Sequence, residues 1–68
     1  SRSYLAMDYW RVKSLYNILQ IKEASQFISE VKIMIQEKGK ILLKGYRKHN
    51  NWDNYQEINS IVTETSLD

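Results

Sequence analysis

The chain has 68 residues, which allows one small domain; a core of this size usually supplies only about 3–5 kcal/mol. It has no cysteine and one histidine, which excludes disulfides, thiolate metal sites, a cysteine nucleophile and a multi-histidine metal centre. The net charge is only +2, and a hydrophobic share of 43% with no proline and two glycines points to packed helices over disorder or a turn-rich β domain.

Ser1 to Ser3 is a short polar lead, with Ser3 placed to cap the first helix. Tyr4 to Ile21 contains no glycine or proline and few β-branched residues, so nothing opposes a helix over about 4–20. At about 100° per residue, Leu5, Tyr9, Val12, Leu15, Tyr16 and Leu19 form one apolar stripe. Met7, Trp10, Ile18 and Ile21 form a second stripe on roughly the opposite side. A helix with two apolar faces either lies in the middle of its bundle or turns one face toward a partner. Asp8 lies early enough to help the helix dipole weakly.

The apolar phase shifts after Gln20, which predicts a break near Ile21–Glu23. A second helix is predicted over about 24–38, with Ala24, Phe27, Ile28, Val31, Met34 and Ile35 inward and Ile33 alone on the polar side. Gly39 suits the left-handed position that ends a helix. Residues 40–49 then read as a short fourth element burying Ile41, Leu42 and Tyr46 and presenting Lys44, Arg47 and Lys48. A competing pattern exists: residues 31–36 also alternate, and 37–40 could turn a β-hairpin over 31–46 in an α+β fold. Asn50-Asn51 is a turn signal, and Asn51 or Asp53 can cap a last helix over 52–64 with Tyr55, Ile58, Ile61 and Val62 inward. Thr65 to Asp68 is expected to fray. The expected fold is an all-α bundle of three long helices plus a short fourth element, as a single domain.

Leu42 to Asp53, with a leucine pair, a glycine and an aromatic before a short polar turn, resembles the helix-turn-helix of tetratricopeptide and pentatricopeptide repeats. Glu57 or Tyr55 stands where those repeats want a small alanine, so the likeness implies helical-hairpin packing and no family.

Charge is unevenly distributed. Residues 31–49 hold six basic side chains and one acidic, whereas residues 50–68 hold four acidic and no basic. The two segments either neutralise each other or leave a basic patch facing an acidic partner. The run Lys38, Lys40, Lys44, Tyr46, Arg47, Lys48, His49, Asn50, Asn51, Trp52 combines cations for phosphates with aromatics able to stack on bases. Lys38, Lys40, Lys44, Arg47, Lys48 and Trp52 are therefore the nucleic-acid candidates. Tyr46 and Trp52 could equally be core anchors beside a solvated loop.

His49 and Asp53 stand four apart, but no nucleophile or second ligand is placed with them, so no enzyme and no cofactor is expected. No run of apolar residues is long enough to span a membrane, and no signal-peptide pattern opens the chain. The lack of cysteine suits an intracellular, reducing compartment. The expected function is non-enzymatic binding of another protein, or of a second copy, through Met7, Trp10, Ile18 and Ile21. Nucleic-acid binding through 38–52 is the alternative.

Overall fold

The computed structural model describes residues 2–21 and 27–66. They form three helices and no strand: α1 (Arg2–Ile21), α2 (Ile28–Lys48) and α3 (Trp52–Glu64). The all-α expectation holds and the 31–46 hairpin is absent. α1 begins at Arg2, so Ser3 lies within the helix, past the cap position expected for it. α1 ends at Ile21, where the break is expected; the connection at 22–26, including Ala24, lies outside the described residues.

The expected stop at Gly39 and the separate fourth element are not found. α2 runs unbroken through Gly39 and Gly45, and neither glycine has positive φ. The reason is tertiary. Gly39 is buried where α3 crosses closest, and a Cβ there would run into Cγ2 of Val62. A Cβ on Gly45 would stand 3.2 Å from a methyl of Leu5. Each glycine costs about 1 kcal/mol of helix propensity, and at Gly39 the missing side chain admits Val62 of α3.

The left-handed residue that ends α2 is Asn50, at φ 57°. Its N–H donates to the Arg47 carbonyl (3.3 Å), and the Asn51 N–H donates to the Tyr46 carbonyl (2.8 Å). This pair of bonds is a Schellman motif, with asparagine taking the place usual for glycine. Asn51 then caps α3, its side-chain oxygen accepting from the Asn54 N–H at 3.4 Å. Two consecutive asparagines therefore stop one helix and start the next.

α2 is central. It packs antiparallel to both α1 and α3, while α1 and α3 touch far less. The molecule measures 36 × 23 × 16 Å along its principal axes. The core comprises Val12 and Leu19 of α1, Ile35, Leu42 and Tyr46 of α2, and Ile58 and Ile61 of α3. Leu5, Tyr9, Leu15 and Tyr16 pack against it, so the whole first stripe of α1 faces inward. Tyr55 and Val62 do the same from α3. Burial raises the ionisation range of the Tyr46 phenol.

The inward face of α2 differs from expectation in three places. Phe27, Met34 and Ile41 are 54%, 43% and 51% exposed, and Leu43 packs inward instead of Ile41. One unbroken helix must keep one phase from Ile28 to Tyr46, and that phase turns Met34 and Ile41 out. Ile33 is outward as expected.

The α1–α3 seam is polar. The Tyr9 hydroxyl donates to Glu57 Oε1 at 2.8 Å, and Lys13 Nζ pairs with Glu57 Oε2. Seven residues further along both helices, the Tyr16 hydroxyl donates to Glu64. The Lys13 bond first, then the Tyr9 bond, hold the Glu57 carboxyl below the usual carboxylate range, and the Glu57 bond holds the Lys13 ammonium above its own. Of the segment 65–68 expected to fray, Leu67 and Asp68 lie outside the described residues, while Thr65 is buried at 3% exposure, its hydroxyl donating to the Ile61 carbonyl at 2.7 Å. Gln36 donates to that hydroxyl (3.2 Å) and to the Val62 carbonyl (2.8 Å).

Candidate functional site

α1 packs its inner stripe on α2 and its Tyr9, Lys13 and Tyr16 side on α3, and no described element covers its outer side. Only its inner stripe finds partners. The outer stripe is left to solvent: Met7 is 56% exposed, Trp10 65%, Ile18 46% and Ile21 78%. A fully exposed aliphatic or aromatic residue is ordinary when single, but four on one helix face are not. Trp10 is held edge-on to Tyr9, ring centroids 5.0 Å apart, so its orientation is supported from below.

The outer stripe continues onto α2 across a shallow groove of about 280 Å³ lined by Trp10, Arg11, Ser14, Leu15, Met34 and Lys38. Met34, which the local pattern assigns to the core, instead carries the apolar surface from one helix to the next. Ile41, also exposed, stands seven residues further on, which returns to within about 20° on the helix, and exposed Phe27, seven residues before Met34, is the cap residue just ahead of α2. The spacing 27–34–41 is visible in the residues, but it defines a face only when a single helix runs through Gly39.

Beside the groove Asp8 is buried at 3% exposure, with Arg11 at 3.7 Å and Lys38 at 3.8 Å. The weak dipole role expected for Asp8 gives way to a structural one: it ties α1 to α2. A buried carboxylate needs such partners, since removing one leaves an uncompensated charge.

The basic candidates are not brought into one site. Lys38 turns toward Asp8. Lys40, Lys44, Arg47 and Lys48 are exposed around the outer side of α2, with no ion pair among the described residues. Tyr46 is in the core, and Trp52 is half exposed at the start of α3, edge-on to Tyr55 at 5.5 Å. His49, Asn50 and Asn51 instead line an open cleft of about 990 Å³ whose other wall carries Tyr9 and Trp10. His49 makes no ion pair with Asp53.

Among the described residues, no carboxylate of the acidic end pairs with a cation of α2. Glu57 and Glu64 are used by Tyr9, Lys13 and Tyr16 of α1, and not by the cations of α2.

Among the described residues, no group of three acidic or histidine side chains is placed to hold a metal ion, and no helix is long and apolar enough to cross a membrane. The chain matches no protein-family model, no curated protein and no solved structure.

Proposed function

We propose that this chain is a non-enzymatic protein–protein interaction module that binds through the outer face of α1, Met7, Trp10, Ile18 and Ile21, continued by Met34. The observation that supports this is the exposure of Trp10 and Ile21 in a bundle whose core is complete without them. Tryptophan and methionine are enriched where interfaces are desolvated, and Trp anchors contribute disproportionately to affinity. The face spans about four turns of helix, a length that helix-on-helix docking uses.

The test is positional cross-linking. A photoreactive residue replaces Ile21 in one sample and Asn59, exposed on α3, in another. The expected result is discrete protein adducts from position 21 that disappear when Trp10→Ala is added. Equal adducts from both positions, or none from 21, would overturn the proposal.

A second reading has its own support. Lys40, Lys44, Arg47 and Lys48, in the C-terminal half of α2, make no ion pair among the described residues and suit an acidic partner, nucleic acid in the first place. Affinity would then fall steeply with salt, and removing Lys44, Arg47 or Lys48 would lower the salt slope by about one unit each. Absence of binding at about 50 mM salt and micromolar protein would end this reading.

A further inference from the structure

The two-helix face has a property that the α1 stripe alone does not: it is self-complementary. We infer that its occupant is a second copy of the chain, packed with its own α1–α2 face so that the four helices form one bundle. This rests on the proposed role of the face in protein binding and commits it to one partner.

Area is the first argument. Met7, Trp10, Ile18, Ile21, Met34 and Ile41 together expose on the order of 700 Å² from their fractional exposures. The largest apolar patch on a typical monomer is about 300–600 Å², and a stable interface takes about 800 Å² from each side. The polar residues between the six supply the remainder. Part of the apolar area, Met34 and Ile41, lies on α2 across the groove, so a single short helix laid along α1 would leave it wet. An equal two-helix face would cover it.

Charge is the second argument. Glu30, Glu37 and Lys44 each follow Phe27, Met34 and Ile41 by three residues, along one flank of the stripe, and Lys48 follows Ile41 by seven. All four are exposed and make no ion pair among the described residues. The flank is thus acidic toward the start of α2 and basic toward its end. A two-fold axis perpendicular to α2 makes the helix meet itself antiparallel, which brings acid to base. With Met34 set against Ile41 of the second copy, Glu30 falls within reach of that copy's Lys44 and Lys48, while the two Glu37 side chains stand near each other at the axis and only there oppose like charge. A parallel arrangement would oppose like charges, so the pattern selects both the partner and its direction.

Sedimentation of the full chain, from micromolar to hundreds of micromolar, tests this. The expected result is a species of twice the 8.1 kDa chain mass. Trp10→Ala and Met34→Glu should each return the single-chain mass with the helical circular dichroism unchanged. Glu30→Lys and Lys44→Glu should each weaken the dimer about tenfold, since every pair occurs twice, and the joint reversal should restore it to within about twofold. A single-chain mass across the whole range overturns self-association. So does a dimer that survives both Trp10→Ala and Met34→Glu, or a joint charge reversal that restores nothing. Single-chain mass together with position-21 adducts to another protein overturns only the second copy and leaves the broader proposal standing. Single-chain mass with no adduct overturns both.

Discussion

Gly39 and Gly45 show how one residue type performs different tasks in one helix. At Gly39 the obstacle to a methyl is Val62 Cγ2, on a β-branched side chain of the type that has one strongly preferred rotamer in a helix. Gly39→Ala should therefore lose about 1–3 kcal/mol despite its better helix propensity, and Val62→Ala should recover much of that loss. At Gly45 the obstacle is the flexible end of Leu5, at 3.2 Å. Gly45→Ala should be close to neutral, the propensity gain offsetting a small shift of Leu5. Chemical denaturation of the three variants and the double mutant checks both expectations. Trp10 is a simpler case. At 65% exposure it contributes little to the isolated fold, so Trp10→Ala should change stability by no more than about 0.5 kcal/mol. Ile35→Ala, at a fully buried site, should cost about 2–5 kcal/mol.

Among the three helices, α2 carries the fold. Its length depends on Asn50 stopping the helix eleven residues after the glycine that resembles a stop. An unbroken α2 gives Ile33 and Ile35 opposite fates, although a strand would have placed them on one face. Ile33 is 43% exposed and Ile35 fully buried. Ile33→Glu should thus fold with nearly wild-type stability, while Ile35→Glu should unfold the domain by burying an unpaired charge. Thermal melts followed at the helical band distinguish the two. The α3 boundaries, Trp52–Glu64, coincide with the expected 52–64, because capping asparagine and apolar period agree there.

Across the whole molecule, apolar seams flank α2 and a polar seam joins α1 to α3. That seam makes stability depend on pH. Glu57 has its ionisation lowered in the folded state, by Lys13 first and Tyr9 second. The unfolded chain then binds the proton more readily, so the seam's contribution is fully present above the ordinary glutamate range and is lost as pH falls through the folded value. Lys13 and Tyr9 have theirs raised, chiefly by Glu57, so their contribution is present below their ordinary ranges and lost as pH rises through the folded values. Wild type should exceed Glu57→Gln in stability at neutral pH, and the difference should shrink toward both extremes. A difference independent of pH would show that the seam acts by packing alone. With α2 and α3 both packed on the inner side of α1, no described element is left to cover its outside.

Helical class, the two faces of α1, the inward residues of α3 and the Asn50-Asn51 turn were all legible in the residues. Each depends on local periodicity or on the backbone preferences of one or two side chains. The sequence was silent wherever the answer depended on which helix lies alongside. A glycine that ends a helix and a glycine that admits a neighbouring helix are the same letter, so Gly39 was resolved only by Val62. Once α2 became continuous, its phase turned Met34 and Ile41 outward and joined them to the outer face of α1. Asp8 became a buried tie because Lys38 lies across from it, and Thr65 is held by Gln36 from another helix. Glu57 and Glu64 found α1 and not the basic stretch, because charge pairing follows spatial adjacency, which composition does not encode.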